Sequence, residues 1–202
     1  MITLSDDSKA ERFHATSGRV TGWMTVVVAA VVALTGAFYV DDGFPLWLVA
    51  AAVLVAVVAW AAMLRPALWV HEEVIVMRNM LETIHIRLVA VEELAVRQVL
   101  AVRAADRRWV STAIGRSLRK TMSSGRRPAG GLDGKAATSV KYVDFVEERL
   151  HRLIDEARRA AGIRPGSPEQ LALPDAVRRE RAWVPIALIA VASLALLLTL
   201  LV

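Results

Sequence analysis

Residues 65–88 read "RPALWVHEEVIVMRNMLETIHIRL", and the apolar pattern of the chain changes its period inside them. Upstream of Arg65 the sequence is dominated by long uncharged apolar runs, whereas downstream of Pro66 apolar and polar residues alternate. In "ETIHIRL", Ile84, Ile86 and Leu88 fall on one side while Thr83, His85 and Arg87 fall on the other. That period of two is the mark of a half-buried strand. Before it, "ALWVHE" and "VIVMRNM" are rich in strand-forming residues and are separated by the acidic pair Glu72 and Glu73. After it come "LAVRQVLAVRA" and "RRWVSTAI", joined by a turn at Ala105 and Asp106. Five or six strands are therefore expected over residues 67–114. Their connections are too short for helical crossovers, so the sheet is antiparallel.

Working outward, the chain is 55% hydrophobic yet 22% charged. Both figures hold at once because the apolar residues are segregated into blocks at residues 20–40, 46–64 and 182–202. Each is close to the roughly 20 residues that a helix needs to cross a hydrocarbon core. The first follows a polar tail with three acids, exceeds the length of a signal-peptide core and is soon followed by a second span, so it reads as an anchor. Three transmembrane helices are predicted. Lys9, Arg12 and Arg19 precede the first, Arg65 follows the second, and Arg178, Arg179 and Arg181 precede the third. The short loop between the first two carries Asp41 and Asp42 but no base. This asymmetry predicts a plasma-membrane protein with a cytoplasmic N-terminus, a large cytoplasmic segment and an extracytoplasmic C-terminus. Ala29, Ala33, Gly36 and Ala37 in the first span, with Ala52 and Ala56 in the second, have the small-residue spacing of a tightly packed hairpin. Neither span holds an ionisable residue, which argues against a channel, proton relay or transporter.

The domain organisation follows. Residues 1–19 form a polar tail and 20–64 a transmembrane hairpin. Residues 65–161 form a cytoplasmic domain of strands at 67–114, a basic loop at 115–137 and a helix at 139–161. Residues 162–181 are a linker, and 182–202 the third span. Val143, Val146, Leu150, Leu153, Ala157 and Ala161 line one stripe of the domain's helix. Thr138 or Ser139 is suited to open it and Gly162 to end it. Asp175 is expected to cap a helix running into the third span, which Pro185 is expected to kink.

Small antiparallel strands closed by one amphipathic helix and hung from membrane helices resemble the bacterial PH-like domain of actinobacterial membrane proteins, the low molecular weight protein antigen 6 type. The residues carrying the resemblance are Arg65 and Pro66 at the membrane exit, Arg78 and Asn79 at a strand end, and the Ile84/Ile86 strand. Glu92, Glu93 and Leu94 then open the next strand. It covers residues 65–114, about a quarter of the chain. The resemblance implies a binding or scaffolding role with no catalytic residues and no cofactor. The family often places a proline and an aromatic residue where this chain has Arg87 and Leu88. A full barrel of that type has seven strands, which implies here a roof that is partial or completed by another chain.

Tested for chemistry, the sequence offers no enzyme. "HEEVI" at residues 71–75 begins like a zinc-protease motif, but Ile75 stands where the second histidine is needed, and the segment is a strand. His85 reads as an outward polar residue, and His14 and His151 have no partner at ligand spacing. Glu72/Glu73 and Glu92/Glu93 are adjacent on strands, so their carboxylates diverge, whereas acid–base work needs convergent groups. "GGLDG" lacks the lysine and strand-to-helix setting of a phosphate loop. The absence of cysteine excludes disulfides and thiolate metal sites.

The remaining signal is charge. Residues 65–181 hold 22 basic and 15 acidic side chains, a net of +7. Between residues 107 and 132 stand Arg107, Arg108, Arg116, Arg119, Lys120, Arg126 and Arg127, with no acid. A lysine or arginine near an anionic leaflet contributes roughly 1 kcal/mol, so anionic phospholipid headgroups are the leading ligand for these seven. A solvated loop and an acidic protein partner are the alternatives. Nucleic acid is disfavoured, because residues 111–138 hold no aromatic side chain for stacking. The leading reading is a non-enzymatic adaptor or scaffold at the cytoplasmic leaflet, contacting lipid and an unknown protein partner. The competing one is a structural subunit of a homo-oligomer or cell-envelope complex.

Overall fold

The computed structural model describes residues 10–14, 18–115 and 133–201. It is an α+β protein of antiparallel sheets and three long apolar helices, divided into two compact units. One unit holds the sheets and a long amphipathic helix. The other holds the apolar helices together with Met80–Glu82.

In the sheet unit, the alternation predicted from "ETIHIRL" is realised. Strands β2 (Ala67–His71), β3 (Val74–Arg78) and β4 (Glu82–Arg87) form an antiparallel meander in which Leu68 faces Met77, and Ile75 faces Ile86. Leu68, Val70, Ile75, Met77, Ile84 and Ile86 point to one side and are buried. A single 3₁₀ turn at Leu88–Ala90 leads to β5 (Val91–Val96), β6 (Leu100–Ala104) and β7 (Arg107–Ser111), a second antiparallel sheet. Leu94, Val96, Leu100 and Val102 close the core from that side. The tight hairpins are charged at their tips. Glu72 has φ 53°, and Ala105 and Asp106 have φ 52° and 56°, the left-handed pair of a two-residue turn that matches strand twist.

Helix α3 (Asp133–Ala161) fills the open side of the core with Val143, Val146, Leu150, Ile154 and Ala157. It starts earlier than the expected residue 139, so Thr138 and Ser139 lie within it and neither opens it. Ile154 takes the buried place assigned to Leu153 and Ala161; Leu153 is partly buried and Ala161 exposed. A helix advances 100° per residue, so a one-residue choice between neighbouring apolar positions decides which reaches the core.

Three further expectations are corrected. The polar tail contributes strand β1 (Glu11–Phe13), paired with β2 so that Phe13 faces Leu68 and enters the core. The linker at 162–181 contains a short helix, α4 (Pro168–Leu171), and a strand, β8 (Val177–Arg181). Asp175 caps no helix: its φ is 53°, a conformation aspartate tolerates, and the chain turns there into β8. β8 joins β4. Arg87 N–H donates to the Ala176 carbonyl at 3.1 Å, and Ala182 N–H to the Leu81 carbonyl at 2.9 Å, so the two strands run antiparallel. The sheets thus have the orders β1-β2-β3-β4-β8 and β5-β6-β7. Two strands outside residues 67–114, β1 and β8, are thus recruited from the segments that flank them.

The helical unit contains α1 (Arg19–Phe38), α2 (Leu46–Ala59) extended by a π turn (Trp60–Leu64), and α5 (Trp183–Leu201). Each is long and apolar enough to cross a membrane. α1 and α2 pack closely at small residues: Ala29, Gly36 and Ala52 are buried, as the spacing suggested, and Gly22 and Ala59 join them. Ala33 and Ala56 are half-buried and Ala37 is exposed. A Cβ on Gly22 would stand 2.7 Å from Cβ of Met63, and one on Gly36 would stand 2.7 Å from Cγ2 of Val49. α5 packs on α2. Pro185 lies in the first turn of α5, where its missing N–H costs no intrahelical bond, and the helix continues to Leu201. Val27, Val31, Leu34, Leu194 and Leu197 remain exposed on outward faces. Helices apolar all round belong in protein cores or lipid, not in water.

Candidate functional site

Of the seven basic residues between 107 and 132, Arg107 and Arg108 are described; Arg116, Arg119, Lys120, Arg126 and Arg127 lie outside the described residues. Both described arginines are exposed at the start of β7. Successive strand residues point to opposite faces, so the sheet separates them. Arg107 pairs in register with the buried Ala104, on the core-side row. Arg108 pairs with Arg103 on the outer face.

On that outer face the side chains make a shallow depression of about 460 Å³, lined by Glu93, Ala95, Arg97, Ala101, Arg103, Asp106 and Arg108. Its cause is local. Ala95 and Ala101 are register partners and form a floor without bulk, while longer charged side chains rise around it. The register shift at the start of β5 makes Glu92 the extra residue of a bulge between Val91 and Glu93. Its carboxylate approaches Arg103 Nε at 3.1 Å and accepts from Asp106 N–H at 3.1 Å. Arg103 Nη2 reaches Asp106 Oδ1 at 3.3 Å. Two carboxylates therefore offset Arg103, whereas Arg97 and Arg108 make no ion pair among the described residues. The rim is mixed in sign. It suits electrostatic contact better than proton transfer.

The sequence missed how the bulge is held. Gln170 is buried; its Nε2 donates to the Val89 and Val91 carbonyls at 2.9 Å each, and its Oε1 accepts from Gly166 N–H at 2.8 Å. Arg158 adds a bond to the Val91 carbonyl from α3. Nothing in a proline-rich segment marks one glutamine as buried. The "HEEVI" motif spans a hairpin and not one strand: His71 ends β2, Glu72 and Glu73 form the turn, and Val74 opens β3, so the helical spacing of a zinc-protease motif does not arise. His85 is on the outer face, partly covered, with Nε2 3.8 Å from Glu180 of β8. Among the described residues no group of three or more His, Asp or Glu side chains could hold a metal ion.

The helical unit carries its own polarity. Gly22 of α1 lies against Met63 and Leu64 at the end of α2. Arg65 Nη1 donates to the Met80 carbonyl at 2.9 Å, and Ala182, just before α5, donates to the adjacent Leu81 carbonyl. Those contacts gather the start of α1, the end of α2 and the start of α5 at one end, with Arg19, Arg65 and Arg181. Asp41 and Asp42 lie in the turn at the other end, between α1 and α2. Trp23, Trp60 and Trp183 cluster by sequence at the basic end, and Tyr39, Phe44 and Trp47 at the acidic one. Four of the six tryptophans thus sit within a turn or so of a helix terminus, a signal readable in the sequence from their positions alone. No family model, curated protein or solved structure matches the chain, so its function is argued from these residues themselves.

Proposed function

We propose that the chain is a multi-pass plasma-membrane protein whose sheet unit is a non-enzymatic PH-like adaptor held at the cytoplasmic leaflet. The observation that carries this reading is the polarity of the helical unit. Arg19, Arg65 and Arg181 collect at one end, and Asp41 and Asp42 lie at the other without a base. Basic residues flanking spans stay on the cytoplasmic side, and tryptophan and tyrosine favour both interfaces. The chain enters the sheets from the basic end after Arg65 and leaves them through β8 at that same end. The sheet unit is therefore cytoplasmic, and α5 ends at Leu201 on the outer side. Two antiparallel sheets closed by one amphipathic helix support the PH-like reading. Arg107, Arg108, Arg116, Arg119, Lys120, Arg126 and Arg127 supply contact to anionic headgroups at about 1 kcal/mol for each one that reaches them.

The chain has no cysteine, so single cysteines report sidedness directly. In intact cells a membrane-impermeant maleimide labels Asp42→Cys, and it labels Glu169→Cys only after permeabilisation. The reverse pattern rejects the topology. Native mass spectrometry of the full-length protein then counts retained phosphatidylglycerol. Replacing all seven bases with Gln reduces that count; unchanged retention rejects the headgroup contact.

A further inference from the structure

We propose that the turn Asn79–Leu81, between β3 and β4, is itself a lipid-contacting element that places Leu81 and Met80 in the headgroup layer beside the third span. The inference rests on the membrane reading above but not on which leaflet is involved. Its basis is a pair of hydrogen bonds to the turn's carbonyls. Ala182 is the capping residue of α5, because its carbonyl accepts from Ile186 N–H at 3.3 Å. Ala182 N–H, which has no partner within the helix, donates to the Leu81 carbonyl at 2.9 Å. Arg65, whose own N–H closes the π turn onto the Trp60 carbonyl, sends Nη1 to the Met80 carbonyl. Two successive carbonyls of the turn are thus held by the residues at which two apolar helices end. Whatever depth Ala182 has in a bilayer, Leu81 shares it.

That depth is the boundary. Arg181 precedes Ala182, and Trp183, 66% exposed, opens the apolar helix. The side chains of the turn suit that place. Leu81 is 43% exposed and Met80 partly so. Turns facing water favour Gly, Asn, Asp and Ser; here Asn79 is the one such residue, its Nδ2 donating to the Val110 carbonyl, and the other β-hairpin tips carry Glu72 with Glu73, Arg97 with Gln98, and Asp106. Only this described hairpin presents two large apolar residues, and it is the one clustered with the apolar helices. Where bulk water gives way to lipid, exposed apolar side chains partition out of water.

The test uses the full-length, otherwise cysteine-free protein in phosphatidylcholine–phosphatidylglycerol vesicles, with an environment-sensitive fluorophore on Leu81→Cys. Nitroxide lipids carry the quencher at the headgroup or deep in the acyl chain. The expected result is blue-shifted emission relative to Glu73→Cys, with headgroup quenching about twofold or more above deep quenching. Emission and quenching equal to those of Glu73→Cys overturn the proposal, as does stronger quenching from the deep label. Met80→Cys gives the same readout should Leu81→Cys fold poorly. Leu194→Cys, midway along α5, separates the two readings. If it is quenched by the deep label while the turn is not, only the present proposal fails; if neither is quenched, the membrane reading fails with it.

Discussion

Arg149 Nε lies 3.1 Å from Oε1 of Glu11 and equally close to Oε2, joining residues 138 positions apart. The contact ties strand β1 to helix α3, and Tyr142 adds a second tie by accepting from His14 N–H at 2.7 Å. The hydrogen bond to Glu11, and then its charge, raise the Arg149 pKa above the ordinary arginine value. A raised pKa keeps its stabilisation fully present below the unfolded value and loses it only above the folded one. Arg149 therefore contributes no pH dependence between pH 5 and 9.

The ion pair is not what holds β1. Both side chains are about one-third exposed, and exposed pairs contribute about 0.2–1 kcal/mol, screened by salt. Phe13 is 7% exposed in the core, and truncating such a ring costs about 3–5 kcal/mol. Glu11→Gln is expected to lower stability by less than about 1 kcal/mol, an effect fading in high salt. Phe13→Ala is expected to lose about 3 kcal/mol. Urea denaturation at two salt concentrations distinguishes them; equal effects would reject the ranking.

Gln170 presents two donors to two carbonyls and one acceptor to an N–H, so its side-chain amide is satisfied in one orientation only. Gln170→Leu strands the Val89 carbonyl and takes one of two donors from the Val91 carbonyl, and is expected to cost about 1–3 kcal/mol. Gln170→Glu sets a carboxylate oxygen against the Val89 and Val91 carbonyls and is expected to cost more than the leucine. Chemical denaturation gives the order; a Glu variant as stable as the wild type rejects it.

Ala105 occupies the first central position of the β6–β7 turn at φ 52°. A Cβ in the left-handed region costs roughly 1–2 kcal/mol, and asparagine tolerates that region through its local hydrogen bonding. Ala105→Asn is expected to gain about 0.5–1 kcal/mol, visible as a higher thermal midpoint of the full-length protein in detergent. A lower midpoint would exclude relief of strain there.

Gly36 faces Phe44 and Val49 with no room for a Cβ, whereas Ala37, next to it, is exposed. In lipid, helix association depends on close backbone approach at such positions. Gly36→Val is expected to cost about 1–3 kcal/mol through overpacking, and Ala37→Val close to nothing. Unfolding in mixed detergent micelles reads both, and similar losses would place the α1–α2 contact elsewhere.

The local code of this chain is strong where one period repeats. Three apolar blocks, each long enough to span a bilayer, and the alternation of Ile84, Ile86 and Leu88 determined the helices and the central meander from sequence alone. The hydrophobic period there agrees with the element formed, although Val76 is also buried, on the opposite side of β3 from Ile75 and Met77. The charge asymmetry of the seven bases was equally plain, but its geometry was not: alternation puts Arg107 and Arg108 on opposite faces of β7. What only the tertiary structure decided lies at the edges. "ERF" is too short to show a period, and "VRRER" is a charged strand with little apolar alternation. Both become strands because β2 and β4 offer unpaired backbone groups, and the buried Phe13 and the Ala176–Arg87 bond reward pairing. The same holds for Gln170, whose role exists only because the 3₁₀ turn and the bulge bring carbonyls to it. Backbone hydrogen bonds between distant segments leave no periodic trace in side-chain chemistry, so they are settled only when the chain folds.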